Sequence, residues 1–142
     1  MFDLALIRPA LLANLEDLIE AEGLQGSSYL LPSPMPPVIQ ISGLSEITYD
    51  VAMHRGGDEN IVVVQALTSK TIDEAGQMKL DRLLASSGPS SVKEAIQSDP
   101  TLGGLVDDLR VVRCSGHQIL TRPGENVSYQ GAQWFVQVET TG

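Results

Sequence analysis

Cysteine, histidine and positive charge are all scarce in this chain, and each scarcity removes a class of function. A single cysteine, Cys114, rules out an intrachain disulfide and a cysteine-rich metal site. It falls in a predicted strand, where a buried structural thiol is expected. The two histidines, His54 and His117, have no Cys, Asp or His at a spacing that a helix or strand would align on a metal. Nine Lys and Arg stand against eighteen Asp and Glu, a net charge of −9. That balance argues against wrapping around nucleic acid, which needs a basic footprint. The acidity is first of all what plain solubility calls for, and it is also compatible with a pore from which DNA phosphates are repelled. No apolar run approaches the roughly eighteen residues of a membrane span. The apolar N-terminal stretch is broken by Asp3, Arg8 and Pro9 and lacks the basic leader of a signal peptide. The chain is therefore expected to stay in the compartment where it is made.

Catalytic signatures are missing as well. No Gly-x-Ser-x-Gly elbow occurs. Ser-Ser-Gly-Pro-Ser-Ser at 86–91 lacks the Lys-Ser/Thr pair of a phosphate loop and reads as an interhelical turn. Gly56-Gly57-Asp58-Glu59 is similar to the core of diguanylate cyclases, but position 60 is Asn where that family has an aromatic. The other βα units and metal-binding aspartates of that fold have no counterpart, and Gly-Gly beside acids is ordinary turn chemistry. Asp107 and Asp108 would point to opposite faces of a strand. Nothing assembles acid, base and nucleophile. The expectation is a protein that is not an enzyme, with no catalytic residue, no cofactor and no metal.

What the chain does contain is a readable order of elements. Residues 9–23 are predicted as a helix, with Pro9 at its first position, Gly23 as its stop, and a stripe of Leu11, Leu12, Leu15, Leu18 and Ile19. Asn14, Glu16, Asp17 and Glu20 are assigned to the wet side. Residues 25–37 hold four prolines and read as an extended arm, either a linker or a segment that packs on a neighbouring subunit. Strands are expected at 38–41, ended by Gly43, and at 46–53. A third at 61–67 is apolar on both faces and therefore central. The strands 46–53 and 61–67 form a hairpin around the tip His54–Asn60.

The stretch Thr71–Val112 predicts two capped helices and a turn into a strand. Thr71 with Glu74, and Ser91 with Glu94, have capping-box spacing. Ile72, Ala75, Gly76, Leu80, Leu83 and Leu84 make an apolar face, and Gly88-Pro89 ends the first helix. Asp99-Pro100-Thr101-Leu102-Gly103-Gly104 turns the chain into a strand from Leu109 to Cys114. His117–Thr121 either continues that strand or forms a separate one. Val127–Glu139 closes the sheet, with Trp134 in the core and Gly131 at a bulge. The order α-β-β-β-α-α-β-β predicts one α+β domain over 1–142, a mainly antiparallel sheet with helices on one face.

Leu80-Asp81-Arg82-Leu83, the short helix Ser91–Ser98 and the Asp-Pro-Thr-Leu-Gly-Gly turn together resemble the tail terminator (tail completion) proteins of long, non-contractile-tailed bacteriophages. The preceding helix and hairpin agree with that family's order. The resemblance implies a structural virion protein without enzymatic activity or cofactor. It implies a homo-oligomeric, hexameric ring on the head-proximal end of the tail, assembled from chains made in the host cytoplasm. Such a ring caps the major tail tube protein, ends its polymerisation and offers a surface to the head-completion or stopper protein of the neck. DNA passes through the lumen without sequence-specific binding, and no membrane is involved. Neck connectors and tail tube subunits share related folds and stand as alternatives, with a nucleotide-handling enzyme built on the 56–59 loop as a remote one. The segments free to reach outside one subunit are the arm, through Tyr29, Leu30 and Leu31, and the hairpin tip, through His54, Arg55, Asp58 and Glu59.

Overall fold

The computed structural model describes residues 3–32, 34–48, 58–70, 73–121 and 128–140. It is an α+β fold, as the element order predicts. Helices α1 (Leu4–Asn14) and α2 (Glu16–Glu22) precede β1 (Gln25–Ser27), β2 (Val38–Thr48) and β3 (Asp58–Ser69). Then come α3 (Glu74–Leu83), α4 (Val92–Ile96), β4 (Asp108–Cys114), β5 (Gln118–Thr121) and β6 (Ser128–Thr140). The sheet runs β1-β2-β3-β6-β4, with β5 also on β6. All pairings are antiparallel except β1 with β2.

One face of the sheet carries the core. Ile39, Ile41, Val62, Val64, Ala66, Trp134, Val136 and Val138 alternate inward from β2, β3 and β6. They meet Ile7, Leu11, Leu15, Leu18, Leu80, Leu83, Val92 and Ile96 from the helices. Alternation with period two sets the strand face, and helical spacing sets the stripe that covers it. Trp134, 2% exposed, anchors this layer as its sequence position predicts.

Several boundaries move for physical reasons. Asp3 starts α1 by accepting a hydrogen bond from Ala5 N–H at 3.1 Å, so Pro9 lies inside the helix and not at its first position. Its missing N–H leaves the Ala5 carbonyl without the usual helical donor. The helix breaks at Leu15 into two, and Gly23, with φ +65°, ends the second. Asn14 turns inward: its amide donates to the carbonyls of Ile96 at 3.0 Å and Asp99 at 3.1 Å. Glu16, Asp17 and Glu20 remain exposed. The two strands expected at 38–41 and 46–53 are one, β2, kept continuous by irregularities between Ile41 and Gly43 and between Leu44 and Glu46. Residues 49–53 lie outside the described residues.

β1 is an addition that three residues, Gln-Gly-Ser, do not advertise. It forms because the edge of β2 offers unpaired backbone, and Gly26 admits the close approach of α1 and α2. A Cβ there would sit 2.6 Å from Ile19 Cδ1. Gly131 lies beside a bulge, but the extra residue is Thr68 on the partner strand, between the Leu67–Gly131 and Ser69–Gln130 pairs. Helix α3 is capped by Asp73, which accepts from Gly76 N–H at 2.7 Å; Thr71 and Ile72 lie outside the described residues. Ser91 caps α4 as its spacing predicts, accepting from Glu94 N–H at 3.1 Å, while Glu94 reaches Gly88 N–H instead of closing the box on Ser91.

The helical layer is tied together at Glu22. Its carboxylate accepts from Ser90 Oγ and from Arg82 Nε at 3.3 Å, while its backbone carbonyl accepts from Lys79 Nζ at 2.6 Å. The Ser90 hydroxyl first, and then the Arg82 charge, hold this carboxyl below its ordinary 4.5 against the opposing effect of burial. A carboxyl whose pKa is lowered by folding adds stability that is present above the unfolded value and fades as pH falls through the folded one. Glu22→Gln should therefore lower the urea midpoint at neutral pH. The gap between variant and parent should close as the pH is taken down from 4.5, as urea titrations across that range would show.

Candidate functional site

The Asp99–Gly104 turn, the segment with the clearest sequence signature, is built for shape. Leu102, Gly103 and Gly104 take positive φ in succession, at 51°, 71° and 93°. The Asp99 carboxylate holds the turn by accepting from Gly103 N–H at 2.9 Å and Thr101 Oγ1 at 3.2 Å. Leu102 is buried in the core, and the Asn14 amide fixes the Asp99 carbonyl from the other side. These donors and acceptors are occupied within the turn, which sets the entry angle of β4.

Two cavities flank this region. The larger, of about 360 Å³, lies between α1, α2 and α4 and is lined by Asn14, Asp17, Ser91, Glu94 and Ser98 among others. Asn14, Ser91 and Ser98 spend their polar atoms on backbone partners, and Glu94 accepts from Gly88 N–H. What remains is a polar dent without a paired acid and base. The smaller, of about 220 Å³, opens at the β4 edge between Leu84, Ala85, Val112, Cys114 and Trp134, with Lys93 and Arg113 at its border. Cys114 is exposed, contrary to the buried thiol expected for a strand residue, because β4 is an edge strand. Its sulfur nevertheless faces this groove, and partial desolvation there pushes the thiol pKa above its ordinary value, against a weak N–H donation from Gly116.

Among the described residues, no three His, Cys, Asp or Glu side chains come together as a metal site, and no helix is long and apolar enough to cross a membrane. His117 does gain a partner that its sequence neighbours hide. Its Nε2 lies 2.8 Å from Asp81 Oδ1, linking the start of β5 to α3, with both side chains at least half exposed. Exposed pairs of this kind contribute little to stability, about 0–1 kcal/mol.

The surface is more informative than the cavities. Of the residues predicted to make contacts, Tyr29 and Leu30 are exposed, at 55% and 44%. Leu31 is half-buried: it folds back beside Val38, Leu67 and Tyr129 on the sheet face away from the helices, and its N–H donates to Gln40 Oε1. The arm is thus held down as a ledge. Arg8 braces it, donating to the Ser28 and Ile41 carbonyls at 2.9 and 2.8 Å with its guanidinium 4.4 Å from the Tyr29 ring. His54 and Arg55 lie outside the described residues, whereas Asp58 and Glu59 belong to β3 and pair in register with Thr140 and Glu139. Their backbone is thereby committed to the sheet, not to a free tip.

Sequence reasoning missed Met35 on the arm, 64% exposed, and Val112 and Ile119 on the outer strand edge, at 43% and 51%. Met35 lay within the segment singled out. Val112 is the extra residue of a bulge between the Val111–Val136 and Arg113–Phe135 pairs, which alternation does not reveal. The sheet face away from the helices carries polar side chains at both ends: Gln40 and Gln65 join side chain to side chain at 2.8 Å across β2 and β3, and Arg113 on β4 stacks 3.6 Å from the Phe135 ring. Among the described residues, the large exposed apolar side chains fall mainly on the arm and on the outer strand edge. No family model matches the chain, and no curated protein shows significant similarity to it.

Proposed function

We propose that this protein is a structural subunit that closes into a ring on the end of a phage tail tube, stops the tube's polymerisation and joins it to the neck. The observation that carries the reading is the run from Leu80 to the Asp99–Gly104 turn. The helix with Leu80-Asp81-Arg82-Leu83, a short capped helix and a Gly-Gly turn into an edge strand are the features on which the family resemblance rests. The α+β architecture and the exposed apolar residues on the arm and the outer strand are compatible with a subunit that works by contact. A ring requires two different faces per subunit, and a chain whose sheet has two unlike edges can supply them.

The test adds purified protein to polymerising major tail tube subunits of its phage. Tubes of limited length with a cap at one end are the expected result, seen by electron microscopy. Tubes that lengthen as if nothing had been added would overturn the reading, and filaments of the protein alone would make it a tube subunit instead.

A further inference from the structure

Apart from Leu6 on α1 and Met78 on α3, the exposed large apolar residues fall in two places. Of the seven large ones on the described surface, Tyr29, Leu30 and Met35 sit on the ledge beside β1 and β2, and Val112 and Ile119 sit on the β4–β5 rim. These are opposite ends of the strand order β1-β2-β3-β6-β4. The ledge exposes its apolar side chains and the rim is concave, since Val112 opens onto the 220 Å³ groove lined also by Trp134 and Leu84. A volume of that size accommodates one large side chain, such as a leucine or tyrosine.

Charge sorts the same way. Residues 25–37 carry no charged side chain, and α2, which runs directly into β1, exposes Glu16, Asp17 and Glu20. Lys93 and Arg113 line the groove, two of the nine basic residues in a chain of net charge −9, while Glu94 beside Lys93 on α4 turns its carboxylate to the Gly88 N–H. The opposing charges Asp107 and Asp108 lie at the start of β4, away from the groove lining. Among the described strands β4 pairs with β6 alone, and its Val111 N–H donates to the Gln97 side chain at 2.9 Å.

We propose that the ledge of one copy, led by Leu30, seats in the β4 groove of the next, with the acidic α2 facing the basic rim. The contact is heterologous: each copy uses one edge to give and the other to receive, which builds a ring when the rotation closes and a chain when it does not. This deepens the ring reading by naming its subunit interface, and rests on that reading only for closure.

Sedimentation velocity of Leu30→Asp, Val112→Asp and an equimolar mixture tests it. Each variant alone should associate at least about tenfold more weakly than the parent, as expected for a residue at the centre of an interface. The mixture should form one-to-one dimers and nothing larger, because each variant keeps the half that the other has lost. Both positions are partly exposed, and circular dichroism checks that the variants fold. Independently of those substitutions, a Leu30→Cys, Cys114→Ser chain mixed with the parent and oxidised by diamide, which takes up the two thiol protons and two electrons, should give a disulfide between position 30 of one copy and Cys114 of the other. Rings that persist in both aspartate variants, a mixture that stays monomeric while the parent assembles, a parent monomeric at every concentration, or no such disulfide each overturn the interface. Parent assemblies that depend on Leu30 and Val112 yet remain open would uphold the interface and refute the ring.

Discussion

Gly131→Ala is expected to destabilise the protein by about 3 kcal/mol, the upper part of the range for overpacking a close-packed interior. A Cβ at Gly131 would lie 2.1 Å from the Ala66 carbonyl oxygen and 3.1 Å from the Ala66 carbonyl carbon. The obstacle is backbone, which cannot rotate aside as a side chain does. Relief would require β3 and β6 to move apart beside the Thr68 bulge, at the join between the two strands that carry most of the core. Gly26→Ala makes a control: its nearest obstacle, at 2.6 Å, is the flexible end of Ile19. It should cost clearly less. Urea midpoints for the two variants measure the difference, and equal losses would refute the backbone argument.

Trp134→Ala should cost about 3–5 kcal/mol, as large-to-small changes of buried aromatics do. The ring is 2% exposed, stands in register between Val64 and Cys114, and closes the floor of the β4 groove. Its removal takes apolar surface from the centre of the core, and the rigid flanking strands cannot collapse to fill the space. Because the chain has one tryptophan, unfolding of the variant has to be followed by far-ultraviolet circular dichroism. Trp134→Phe, which keeps most of the volume, should retain the greater part of the stability. A phenylalanine variant as weak as the alanine one would show that volume is not what matters there.

Features set by neighbouring residues were the ones legible in the sequence. The Ser91 cap, the Gly23 stop, the central position of the Ile61–Leu67 run and the inward side of Trp134 each follow from a local spacing rule. Features set by distant parts of the chain were not. The three residues of β1 become a strand only because β2 passes beside them, and Pro9 is carried inside a helix by a cap at Asp3. Cys114 is exposed because β4 ends the sheet, which the alternation of β4 itself cannot indicate. The two proposed contact surfaces divide in the same way. The arm was legible from its prolines and uncharged composition. The groove was not, since Leu84, Val112 and Trp134 come from three separate elements.

The position of β6 carries a consequence for how the molecule comes into being. The last of the six strands to be synthesised is an inner one, inserted between β3 and β4. During translation β3 therefore waits with one apolar edge, Ile-Val-Val-Val, open along most of its length, while β4 has none of the other described strands to join. Such an edge invites pairing with other nascent chains. The nascent protein is thus most vulnerable to aggregation just before its final strand is released. A ribosome stall or truncation ahead of Ser128 should leave not a weakened domain but an unfinished sheet.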